Sequence, residues 1–92
     1  MQAGEAEIIA IKAIGWMAEN EPVLDRFLAE TGEDFGGIRD RLPDPEFLAA
    51  IIDHLLSSDE SVREFCSAHR IPLDAPMQAR MLLPGGEVPN WT

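Results

Sequence analysis

Cys66 and His69 stand three residues apart in the stretch "FCSAHR", and His54 lies a little upstream. Residues three apart on a helix are neighbours, so a thiol and an imidazole could work there as nucleophile and base. With His54 they could instead supply three ligands to a catalytic zinc that keeps its fourth position for water. Structural zinc asks for four Cys or His ligands, and the chain holds one Cys and two His. No orienting acid, oxyanion hole, Gly-rich phosphate loop or HExxH pattern accompanies the pair. A lone cysteine at an apolar helical position commonly behaves as a small buried hydrophobe. The residues therefore predict no catalytic, metal-binding or cofactor-binding side chain and a non-enzymatic protein. A metal- or thiol-dependent activity at Cys66, His69 and His54 is the alternative.

A second chemical outline is the helix, turn and helix around "AETGED", with "FGGIRDRL" in the place of a recognition helix. Charge argues against it. Arg39 and Arg41 sit among Glu33, Asp34, Asp40 and Asp44, and affinity for nucleic acid comes largely from Lys and Arg neutralising phosphates. The whole chain carries 17 acidic and 7 basic residues, a formal charge of -10. Nucleic acid and an anionic membrane surface are both disfavoured partners. A protein partner, including a second copy of the chain in a homodimer, is compatible with this field.

The elements that would position these residues can be read from periodicity and punctuation. Ninety-two residues suit one modest core. A first helix over 5–19 carries Ile8, Ile11, Ile14 and Ala18 along one side and Ile9, Ala13, Trp16 and Met17 along another. Glu5, Lys12 and Glu19 recur every seventh residue as a narrow polar stripe. Pro22 opens a second helix that Gly32 closes. Asp34 caps a short third ending near Leu42, with Ile38 and Leu42 inward, and Asp44 with Pro45 starts a fourth reaching Ser57. Ser57 and Glu60 fit a capping box for a fifth. A sixth follows Asp74 and carries Met77, Met81 and Leu82 as its apolar residues.

Shifting the chain on itself by 38 residues lays Ile9 on Phe47, Ala13 on Ile51, Ile14 on Ile52, Phe27 on Phe65 and Leu28 on Cys66. This predicts an all-α bundle of five to six helices, arranged as two tandem three-helix units (5–42 and 45–83) that cover each other's apolar faces. A tail over 84–92 follows, extended and packed back on the bundle. Its sequence "PGGEVPNWT" stops the helix, biases Val88 toward extended backbone through Pro89, and ends in an aromatic anchor, Trp91. A first helix that is apolar nearly all round implies a second contact surface. Ile9 and Trp16 on that helix, with Val88 and Trp91 on the tail, are the candidate interaction residues. One cysteine and no leader-like opening predict a cytoplasmic location.

The stretches "RFLAETGED", "DPEFLAAIIDHLLSSDE", "FCSAHRIP" and "LPGGEVPNWT" together resemble a family of short bacterial proteins of unknown function, over nearly all of the chain. That resemblance implies a compact helical protein and carries over no activity, substrate, cofactor or site residue. The family pattern has His where this chain has Asn90, so a tail role based on imidazole chemistry is not implied here.

Overall fold

The structure, a computed structural model, describes residues 1–84. Six helices follow one another: α1 Ala3–Ala18, α2 Glu21–Thr31, α3 Phe35–Arg41, α4 Pro45–Leu56, α5 Asp59–His69 and α6 Ala75–Met81. The described residues contain no strand, and the architecture is the expected all-α bundle. None of these helices is long and apolar enough to cross a membrane. The expected docking of the tail on the bundle, and the candidate residues Val88 and Trp91, lie outside the described residues.

Local chemistry sets the boundaries. Asp34 accepts a hydrogen bond from the Gly37 amide at 2.6 Å and Asp44 one from the Glu46 amide at 2.9 Å, each satisfying an orphan donor of a first turn. Pro45 occupies the first turn of α4, where its missing N–H costs nothing. Gly32 ends α2 in the left-handed conformation, φ 73°. Arg70, 38 residues later, ends α5 the same way with φ 54°, although only glycine adopts that region without a steric cost. The cap of α5 differs from expectation by one residue. Ser58, not Ser57, accepts from the Ser61 amide at 3.2 Å, while the Ser57 hydroxyl donates back to the His54 carbonyl at 2.6 Å and closes α4.

α1 is the hub. It packs on α2, α4, α5 and α6, and α4 in turn packs on α5 and α6. Its inner face is Ala6, Ile9, Ala10, Ala13, Trp16 and Met17, three of them alanines with no exposed surface. Small side chains there let α4 and α6 lie close against α1 on either side of the larger anchors. Trp16 meets Phe65 of α5 edge-on at 6.1 Å between ring centroids, and Phe27 of α2 meets Phe47 of α4 at 5.7 Å. Pairs of this kind add about 0.5–1.5 kcal/mol beyond the burial of their area.

α6 corrects the expected apolar face. Met77, Met81 and Leu82 lie exposed, and the helix buries Ala75, Pro76 and Ala79 instead, with Leu83 buried just beyond its end. In a helix of seven residues only one or two side chains per turn can point inward, and the small ones permit the close contact with α1 that the methionines would block. Arg80 fastens its end, donating from Nε to Asp53 of α4 at 2.5 Å and from Nη1 to the Pro84 carbonyl at 2.9 Å. α6 contacts both long helices, whereas α3 makes only marginal contact with the rest, so the third helices of the two halves are placed differently.

The packing of α1 generates a test. Ala13→Leu forces a branched side chain into a fully buried position and is expected to cost about 1–3 kcal/mol. In a domain of this size each kcal/mol lowers the melting midpoint by roughly 4–8 °C. Thermal unfolding followed by circular dichroism measures it, and an unchanged midpoint would mean that nothing packs closely on this part of α1.

Candidate functional site

The residues that could carry chemistry are not brought together. Cys66 is buried on α5, 3% exposed, with its Sγ donating to the Pro72 carbonyl at 3.6 Å. Burial pushes the thiol above its ordinary pKa, and the negative charge of Asp74 pushes it further in the same direction. The thiolate is the nucleophile and the metal ligand, so both influences oppose the chemistry that the Cys66 and His69 spacing suggested. His69 lies against Phe65 of its own helix, ring centroids 4.9 Å apart, rather than on the thiol. His54 belongs to a different cleft. Among the described residues no group of three or more His, Cys, Asp or Glu side chains is placed to hold a metal ion.

His54 is the most engaged polar side chain of the interior. Its ring is buried on α4, with Nδ1 3.0 Å from the Glu30 carboxylate and Nε2 3.1 Å from the Val23 carbonyl, both on α2. Each neighbour is an acceptor, and a neutral imidazole can donate to only one of them while the protonated ring satisfies both. Phe27 covers the ring at 5.3 Å. No local pattern signals the pairing, since Glu30 and His54 are 24 residues apart. A cleft of about 280 Å³ opens beside them, lined among others by Thr31, Asp53 and Ser57. A carboxylate holding an imidazole is half of a nucleophilic triad. The other half is missing, because Nε2 faces a backbone carbonyl and the Ser57 hydroxyl is spent on the His54 carbonyl. The group works as a clasp between α2 and α4.

In the helix, turn and helix segment Arg39 is exposed, whereas Arg41 is engaged within the fold. Glu33 and Asp44 both hold Arg41, whose guanidinium also lies 4.9 Å over the Phe47 ring. Gly37 belongs to this arrangement, because a Cβ there would come within 2.8 Å of the Glu33 carboxylate. Of the two glycines in the expected recognition helix, Gly37 thus makes room for α3's own cap and ion pair, whereas a Cβ at Gly36 would meet only an ordinary contact at 3.6 Å.

What remains is apolar surface. Of the interaction residues expected on α1, Ile9 is 8% and Trp16 5% exposed, so both belong to the core. The outward face is most of the other side named in the sequence, with Ile8 54% and Ile11 47% exposed, while Ile14 of that side is buried in the core. Toward the end of α1 this face runs into a cleft of about 410 Å³, where Ile14, Gly15 and Ala18 meet Leu24, Phe35 and Ile38. Phe35, 65% exposed, forms its rim. The part of this that the sequence carries is the polar stripe, since Glu5, Lys12 and Glu19 mark the edge of the outward side.

Alkylation of the thiol tests the reading of Cys66. Iodoacetamide at neutral pH is expected to modify it at least tenfold more slowly in the native protein than in urea, with the rate in the native state rising only well into the alkaline range. Equal rates in the two states would place a reactive thiol at the surface.

Comparison with known proteins supplies no activity. No curated protein and no solved structure matches the chain. A family profile does match residues 3–86, nearly the whole of it, and the chain belongs to that family, described as Protein of unknown function (DUF3572).

Proposed function

We propose that this protein works by association and not by catalysis, and that the outer face of α1 is its contact surface. The observation that carries this reading is the pair of half-exposed isoleucines, Ile8 and Ile11, one turn apart on the most central helix of the fold. A helix already buried along one side needs no apolar residues on the other for stability, and contiguous exposed apolar surface marks association sites. The adjoining cleft with Phe35 extends the same surface. The engaged state of His54 and the protonated, buried Cys66 support the non-enzymatic part of the reading. A buried free cysteine suits a reducing compartment, and the proposed location is the cytoplasm.

Site-specific photocrosslinking in the living cell tests this. A benzophenone amino acid replacing Ile11 is expected to give discrete adducts on irradiation, whatever protein occupies the face. The same amino acid replacing Glu60, exposed on α5, is expected to give none above background. Absence of adducts at Ile11, or equal labelling from both positions, would contradict the assignment.

A further inference from the structure

Written as a heptad, α1 places Gly4, Ile8, Ile11, Gly15 and Ala18 at alternating d and a positions, and all five are exposed. The buried residues Ala6, Ile9, Ala10, Ala13, Trp16 and Met17 fall on b, c and f, the opposite side. The bundle therefore uses one face of α1 and leaves a complete a/d seam outside. Its two glycines have no internal reason, for a Cβ added at Gly4 or at Gly15 meets nothing within 4 Å. Glycine inside a helix is destabilising relative to alanine, and what a missing Cβ permits is the close approach of a second backbone.

The charges beside the seam say which occupant fits. A protein with a formal charge of -10 repels its own copies over most of its surface, so self-association needs a local complement. Lys12, the single lysine of the chain, sits at e, and Glu7 sits at g. In a parallel helix pair the g residue of one helix faces the e residue of the following heptad on the other, which sets Glu7 against Lys12 of the second copy and, by symmetry, Lys12 against its Glu7. Glu19, the next e residue, meets no charged g position, since residue 14 is Ile. Lys12 forms no ion pair with its own chain among the described residues.

We propose that a second copy of this chain docks in parallel on the outer face of α1, with Ile8 and Ile11 meeting their counterparts and Lys12 pairing with Glu7 across the seam. The proposal rests on the reading of this face as the contact surface and adds its occupant. Two isoleucines per copy bury far less than the ~800 Å² per partner of a standard interface, so the dimer is weak and dilution dissociates it.

Sedimentation equilibrium of the full chain, from roughly micromolar to millimolar concentration, tests this. The expected mass rises from the monomer's 10.2 kDa toward twice that value. Ile11→Glu is expected to stay monomeric with an unchanged melting curve in dilute solution, because the position is exposed. Lys12→Glu is expected to abolish the dimer, and adding Glu7→Lys to it to restore the dimer. A native chain that remains monomeric at millimolar concentration overturns the proposal, as does a dimer indifferent to Lys12→Glu. Restoration by Glu5→Lys in place of Glu7→Lys overturns the parallel arrangement. Crosslinks from Ile11 to another protein in the cell, with a purified chain that stays monomeric, would sink the second copy as occupant and leave the contact surface standing.

Discussion

The close contact made by the inner face of α1 is the constraint on which the rest of the molecule depends. Ala6, Ala10 and Ala13 are wholly buried, and their small size lets α4 and α6 share one helix as a common support. Trp16 and Met17 then fill the space nearer the helix end, where Trp16 reaches Phe65 on α5. A chain of 92 residues has few places to build a core, and concentrating four contacts on a single helix is how this one does it. The remaining polar interactions act as fasteners between elements. His54 ties α4 to α2, Arg80 ties α6 to α4, and Arg41 is held against the junction of α3 and α4.

Much of this was legible in the sequence because punctuation and periodicity are local. Pro45, Gly32, Asp34 and Asp44 each act within a turn of their own position, and all six helices lie close to where punctuation and periodicity together predict them. The failures share a cause. Choosing between Ser57 and Ser58 as a cap depends on a single residue of register, since adjacent serines offer the same hydroxyl. Choosing between Met77 and Ala79 as the buried side of α6 depends on how near α1 comes, which no pattern within seven residues encodes. Ile9 and Trp16 were apolar residues on a helix apolar all round, where hydrophobicity alone cannot separate the side that meets the core from the side that meets solvent. Ala6, Ala10 and Ala13 point inward, but Gly4, Gly15 and Ala18 lie on the exposed side, so residue size does not separate the two sides either.

The chemistry followed the same division. The spacing of Cys66 and His69 is a local fact, and it suggested a site. Whether that site exists depends on what each group faces in the fold: the apolar burial of the thiol, the Pro72 carbonyl that accepts its hydrogen bond, and the Phe65 ring against which the imidazole lies. The Glu30 and His54 pair shows the converse, a polar link of real structural consequence with no motif behind it. With the reactive side chains committed to holding the fold, the outward side of α1 is where sequence and structure leave surface unexplained by stability.

Native-state hydrogen exchange tests the central claim about α1 most directly. If α1 is the common support, the amides of Ala10, Ala13, Ile14 and Met17 exchange only through global unfolding, with the same opening free energy and denaturant dependence as those of Ile51, Ile52 and Leu55 in α4. Faster exchange in α1 than in α4, through an opening that leaves α4 protected, would contradict that account and move the organising centre of the fold to α4.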